Sequence, residues 1–193
     1  MAFDPSPDDA LVVVDVQRDF CPGGSLAVPE GDEVVGVINR LAPRFSTVVT
    51  THDTHPADHC SFTARGGPWP PHCVEGTQGW EAHPDLDVQA DFQVFKGRDR
   101  DQDGYTGWTK ELADFLSRQG ARRVVTVGLA LDYCVQATAL DARAAGFEVV
   151  VLTDATRAVN VRPDDGARAL DALRAAGVHE DRAGEAPMPS SGV

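Results

Sequence analysis

Short β-branched runs alternate with amphipathic stretches along this chain, and that alternation restricts the fold more than any other feature. Leu11 to Val16 reads Leu-Val-Val-Val-Asp-Val, an apolar run broken by one acid, as in a strand buried on both faces. Val34, Val37, Ile38 and Leu41 fall at i, i+3, i+4 and i+7 and predict a helix. Thr47–Thr51 reads as a second strand and Phe92–Phe95 as a third, followed by a helix through Leu112, Phe115 and Leu116 that stops at Gly120. Val124–Val127 predicts a fourth strand, Asp132 to Ala145 a helix, Phe147–Leu152 a fifth strand, Asp164 to Ala176 a helix, and Val178–Glu180 a short sixth strand. Strands and helices in this order call for right-handed crossovers between parallel strands. The expected fold is a single-domain, three-layer α/β/α arrangement with a mostly parallel five- or six-stranded sheet of Rossmann-like topology. Residues 1–181 are expected to form the domain, and 182–193, rich in Gly, Pro and Ser, a flexible tail.

Composition excludes several classes of partner. With 17 Lys+Arg against 30 Asp+Glu, the net charge of −13 disfavours nucleic acid and anionic membrane surfaces. No apolar run approaches the ~18 residues of a membrane span, and the first residues lack a signal-peptide layout, so a cytoplasmic protein is expected. The four cysteines, Cys21, Cys60, Cys73 and Cys134, form no CxxC pair and read as free thiols. GxGxxG and GxxxxGK[ST] phosphate loops are absent, and Asp99–Gly104 opens like a calcium loop but has Lys110 where a Glu is required.

In a doubly wound sheet, ligands bind at the carboxyl ends of the strands, so the residues just past each strand carry the functional signal. Asp15 closes the first strand, His52-Asp53-Thr54-His55 follows the second, Lys96 the third, and Gly128 to Cys134 the fourth. Cys134, where a strand gives way to a helix, is expected to have its thiol pKa lowered by the helix dipole. Asp15 and Lys96 can serve it as proton acceptor and charge partner. On the residues alone, an ordinary buried ion pair and a packed cysteine are the plainer explanation. In an extended segment Asp53 and His55 point to the same side and can share a cation, with His59 or His72 adding another imidazole. A carboxylate with imidazoles suits zinc, iron or manganese better than calcium or magnesium. The bland alternative is a His-rich surface loop.

Taken together, these residues resemble the nicotinamidase/pyrazinamidase branch of the isochorismatase-like cysteine hydrolases. The matching pieces, in family order, run from Val13 through Asp15, Gln17 and Phe20 to Leu26, then Asp53 to Phe62, Trp69-Pro-Pro-His72-Cys73-Val74, Val94-Phe-Lys96-Gly97, Tyr105-Thr-Gly-Trp108 and Gly128 to Val135. The resemblance implies a catalytic triad of Asp15, Lys96 and Cys134, and an oxyanion held by the backbone N–H groups of Ala130 and Cys134 beyond a cis Leu129–Ala130 bond. It implies a divalent metal, zinc, iron or manganese, on Asp53, His55 and His72, with His59 as fourth ligand or just outside the ligand set. Phe20, Trp69 and Tyr105 would line the ring pocket. The implied reaction converts nicotinamide, and pyrazinamide with it, to the acid and ammonia through a thioester on Cys134. The partner would be a small aromatic carboxamide, with a homo-oligomer left open. A metal-free relative acting on N-carbamoyl amides and a non-catalytic metal- or thiol-binding module remain the alternatives. The acidic loop Asp99–Asp103, and Tyr133 where some members have His, depart from the family pattern.

Overall fold

Both faces of the central sheet are covered, which is why its strands read as unbroken apolar runs. The computed structural model describes residues 3–184. The strands are β1 (Asp9–Val14), β2 (Thr47–Asp53), β3 (Phe92–Lys96), β4 (Arg123–Leu129), β5 (Glu148–Arg157) and β6 (His179–Asp181). All neighbours pair in parallel, in the order β3-β2-β1-β4-β5-β6. The helices are α1 (Glu33–Leu41), α2 (Lys110–Arg118), α3 (Gln136–Ala144) and α4 (Asp165–Ala175).

Every residue of β1 is buried, and its side chains divide between two cores. Leu11 and Val13 pack with Val34, Val35 and Ile38 of α1. Ala10, Val12 and Val14 pack on the other face with Leu112 and Leu116 of α2, Ala139 and Ala142 of α3, and Leu173 of α4. Thr109 caps α2, its hydroxyl accepting from the Leu112 N–H at 3.1 Å. The expected three-layer α/β/α fold is therefore present, with six strands. No helix among the described residues is long and apolar enough to cross a membrane.

Several strand boundaries differ from the sequence expectation. β1 begins at Asp9 and ends at Val14, leaving Asp15 just beyond it with φ +47°, a left-handed conformation that Asp adopts more readily than most residues. β2 runs on to Asp53, because its ladder with β3 continues until Asp53 faces Lys96. β5 extends to Arg157, five residues past the expected end, pairing again with β4 after a register shift between Thr126 and Gly128. Of the residues assigned to the tail, Ala183 and Gly184 donate their N–H groups to Asp154 at 2.7 and 3.0 Å; 185–193 lie outside the described residues.

The strand order decides where chemistry can occur. β1 lies between β2 and β4, and the crossovers leave it in opposite directions, α1 on one face and the remaining helices on the other. That is the switch point at which a crevice opens beyond the strand tips. The β2–β3 connection, residues 54–91, has no α-helix and roofs the crevice.

Candidate active site

Asp15, Lys96 and Cys134 converge in this crevice, almost wholly out of water at 0, 6 and 6 % exposure. Lys96 Nζ lies 2.9 Å from Asp53 Oδ1, 2.9 Å from the Gly104 carbonyl and 3.4 Å from Cys134 Sγ, and hydrogen-bonds to all three. Asp15 Oδ2 is nearer still, 2.8 Å from the same nitrogen, and forms an ion pair with it. Its other oxygen, Oδ1, accepts from the Thr51 hydroxyl at 2.6 Å. One carboxylate oxygen is thus anchored by Thr51 and the other pairs with Lys96.

The electrostatics correct one expectation. The Cys134 thiol is not poised as a thiolate: burial pushes its pKa well above the ordinary value, and the Asp15 and Asp53 carboxylates push the same way. The Lys96 cation works in the opposite direction but is outweighed. The turn that carries Cys134, Leu131–Val135, is a π-helical turn leading into α3, and the dipole acts on a thiol already stripped of water. Burial also disfavours charge on Lys96, but Asp15 and Asp53 together hold its pKa well above the usual range. Asp53 loses solvation too, yet Lys96, with His55 and His72 beside it, keeps its carboxyl well below the usual range.

On the far side of Asp53, Asp53, His55 and His72 each turn one ligand-type atom toward a common point, all within 4.8 Å of one another. His55 Nε2 is 2.8 Å, and His72 Nε2 3.5 Å, from Asp53 Oδ2. The other ring nitrogens face backbone carbonyls, His55 Nδ1 the Gly97 oxygen at 2.9 Å and His72 Nδ1 the Pro70 oxygen at 2.8 Å. Each imidazole therefore meets an oxygen acceptor at both nitrogens, although a neutral ring has only one N–H. With the N–H on Nδ1, both Nε2 lone pairs point at a carboxylate, an arrangement a cation resolves. Two buried carboxylates against one ammonium also leave the cluster with excess negative charge. These residues fit a divalent metal.

His59 is placed differently. Its Nε2 meets the Gln102 carbonyl at 3.0 Å, while Nδ1 lies 2.7 Å from the Ser61 hydroxyl and 3.2 Å from the Ser61 N–H. A neutral ring satisfies every one of these contacts, so His59 stacks on His55 at a centroid separation of 4.0 Å but needs no cation. Gly97, at φ +72°, allows the close approach of β3 to this cluster, since a Cβ there would lie 2.6 Å from the His55 ring.

A cavity with about 340 Å³ of empty space, its mouth included, opens onto Cys134. Its walls include Phe20, Leu26, Trp69, Tyr105, Tyr133 and Val159, with Ala130 beside the sulfur and Asp53 and His72 at the metal side. The walls are mostly aromatic and apolar with a few polar groups at one end, the composition of a small-molecule site. Trp69 Nε1 donates to the Tyr105 hydroxyl at 3.1 Å, and Tyr133 stands edge-on to Trp69 with centroids 5.1 Å apart. The Leu129–Ala130 peptide is cis.

Several supporting residues escaped the reading of the sequence. Gln17 is fully buried; its Oε1 accepts from the Asp53 N–H at 2.7 Å, and its Nε2 donates to the Asp53 and Trp80 carbonyls at 2.8 and 2.7 Å. Thr51 anchors Asp15 from the neighbouring strand, where it lies in register with Val14. A polar residue at a strand tip was the available signal for both. Val159 and the Gly104 carbonyl carried none.

A family model described as the isochorismatase domain matches residues 9–180. The chain belongs to the isochorismatase family. Among its relatives, the nicotinamidase of Escherichia coli (strain K12) is 39 % identical over 198 residues, covering 89 % of this chain and 93 % of that protein. Among solved structures, the pyrazinamidase of Pyrococcus horikoshii in complex with zinc superposes with a TM-score of 0.85 at 42 % identity, covering 91 % of this chain and 99 % of the other. PnC1 from L. infantum in complex with nicotinate gives a TM-score of 0.89 at 39 % identity, covering 94 and 96 %. This isochorismatase-family chain thus shares fold and length with enzymes named for pyridine and pyrazine carboxamides.

Proposed function

We propose that this protein is a nicotinamidase that also accepts pyrazinamide, hydrolysing the carboxamide to a carboxylate and ammonia through a thioester on Cys134. One observation carries the reading: the buried thiol has an ammonium 3.4 Å away, and that ammonium also pairs at 2.8 Å with the Asp15 carboxylate.

The neutral thiol needs a base, and the Asp15 carboxylate beside it is the acceptor. Asp15 takes the thiol proton as Sγ attacks the carboxamide carbon. Lys96 steadies the developing thiolate and pairs with the Asp15 carboxylate. The carbonyl oxygen gains its negative charge against the backbone N–H groups of Ala130 and Cys134, each worth ~3 kcal/mol of barrier if placed well. Protonated Asp15 then gives its proton to the leaving nitrogen, ammonia departs and the thioester remains. In the second half, Asp15 takes a proton from water as its oxygen attacks the thioester carbon. That proton returns to sulfur as the acid is released.

Asp53, His55 and His72 would hold the divalent metal, with His59 fixing the His55 ring from outside the ligand set. When bound, the metal supplies a Lewis-acid contact for the ring nitrogen of a pyridine or pyrazine. Zinc, iron and manganese all suit this donor set. Phe20, Trp69 and Tyr105 enclose the ring and exclude water.

Ammonia release from a panel of aromatic and aliphatic carboxamides, with and without chelator, tests the proposal. Nicotinamide and pyrazinamide are expected to turn over, and both to fail after chelation. Full activity of Cys134→Ala, or a preference for aliphatic amides, would overturn it.

A further inference from the structure

Asp132 lies two residues before the nucleophile, and no step above uses it. Its carboxylate is nonetheless fully engaged. Oδ1 accepts from the Val159 N–H at 2.8 Å and Oδ2 from the Asn160 N–H at 2.8 Å. Two successive backbone N–H groups turned toward one carboxylate form an anion-binding concavity, filled here by the protein's own side chain. Asn160 adopts φ +53°, and its Oδ1 accepts from the Gly166 N–H in the first turn of α4 at 2.8 Å. The chain of contacts runs from the nucleophile turn through Asp132 to the loop after β5 and on to α4. Val159, whose N–H Asp132 holds, is a wall of the cavity that opens onto Cys134. Arg162, Arg168 and Asp165 line the outer groove beside Asp132, where Arg168 pairs with Asp165.

We infer that Asp132 is a positioning residue that sets the width of the substrate pocket, by tying the Val159 wall to the same turn that carries the sulfur. A slab-shaped ring is gripped because wall and nucleophile cannot move apart. The inference rests on the amidohydrolase reading and deepens it: the specificity for small, unsubstituted ring carboxamides comes from this clamp.

Asp132→Ala removes both acceptors, and Asp132→Asn keeps one oxygen while setting an NH₂ group against the second N–H. In Asp132→Ala, KM for nicotinamide is expected to rise roughly tenfold, the worth of one hydrogen bond to a charged acceptor, while kcat changes much less. Ring-substituted nicotinamides should gain on nicotinamide in relative kcat/KM, and Asp132→Asn should fall between the alanine variant and the native enzyme. A purely structural role would lower the melting temperature but move neither the KM-to-kcat split nor the substituent ranking of the folded enzyme; that result overturns the inference. Should the alanine variant not fold, Asp132→Asn decides alone on the same criteria. Should the native protein hydrolyse no carboxamide, the nicotinamidase reading fails. The clamp is then judged by Cys134 alkylation: N-ethylmaleimide should gain relative to iodoacetamide in the variants, and an unchanged ratio refutes it.

Discussion

Replacing Lys96 by Met tests the electrostatic core of this site, because the change keeps the side chain's bulk and removes only its charge and its donors. Among the groups acting on the Cys134 thiol, burial, Asp15 and Asp53 all raise its pKa, and Lys96 lowers it. For a unit charge 3.4 Å from the sulfur, Coulomb's law at an effective dielectric of ~20 gives about 5 kcal/mol as an upper bound on that opposing effect. Even ~1.4 kcal/mol of it corresponds to one pKa unit and a tenfold smaller thiolate fraction. Iodoacetamide should therefore alkylate Cys134 in the metal-free Lys96→Met protein at least tenfold more slowly than in the native protein at the same pH. The pH at which alkylation accelerates should move upward. The buried Asp15 and Asp53 carboxylates also lose their shared cation, at a cost of ~3–5 kcal/mol. A drop in melting temperature should therefore accompany the slower alkylation, at ~2–4 °C per kcal/mol for a chain of this size. Lys96→Arg keeps the charge and should recover much of the alkylation rate. Peptide mass spectrometry localises the label. A folded Lys96→Met protein whose Cys134 reacts as fast as the native one would refute the claim that the ammonium governs the sulfur.

Other expectations follow from the same geometry. Thr51→Val removes the 2.6 Å donor to Asp15 Oδ1 without leaving a cavity, so thermal or urea unfolding should show a loss of ~1.5–3 kcal/mol, and Thr51→Ser should lose less. His72→Ala should abolish stoichiometric metal in elemental analysis, whereas His59→Ala should retain it in part, because His59 meets only Ser61 and Gln102 through its ring nitrogens. In the folded protein Ellman's reagent should titrate Cys60 first, as the partly exposed thiol, while Cys21, whose pKa burial pushes up to about 11, and buried Cys73 wait for denaturant. Finally, the ionised Asp53 carboxyl, held below its usual range, contributes stability above pH ~4 that is lost as pH falls further; acid unfolding of metal-free Asp53→Asn should be less steep there.

The sequence by itself determined the layer plan and marked the strand tips at which reactive residue types collect. A strand buried on both faces holds an acid only where a partner meets it, so Asp15 just past β1 marked a place to look for one. Lys96 and Cys134 announced themselves in the same way, at the ends of other strands. Local spacing also marked Asp53 and His55, because an extended chain turns residues two apart to one side.

Only the tertiary structure decided which tips meet. Seating β1 between β2 and β4 brings Asp15 close to Lys96 and Cys134, and the Asp53–Lys96 register creates the shared ion pair. It also decided that the thiol rests neutral, since desolvation depends on everything packed around the sulfur rather than on the helix that follows it. The separate fates of His55 and His59 were equally illegible in the chain. The backbone carbonyls that meet them come from Gly97 and Gln102, 42 and 43 residues further along the chain, and hydrogen-bond partners at that range leave no local pattern to read.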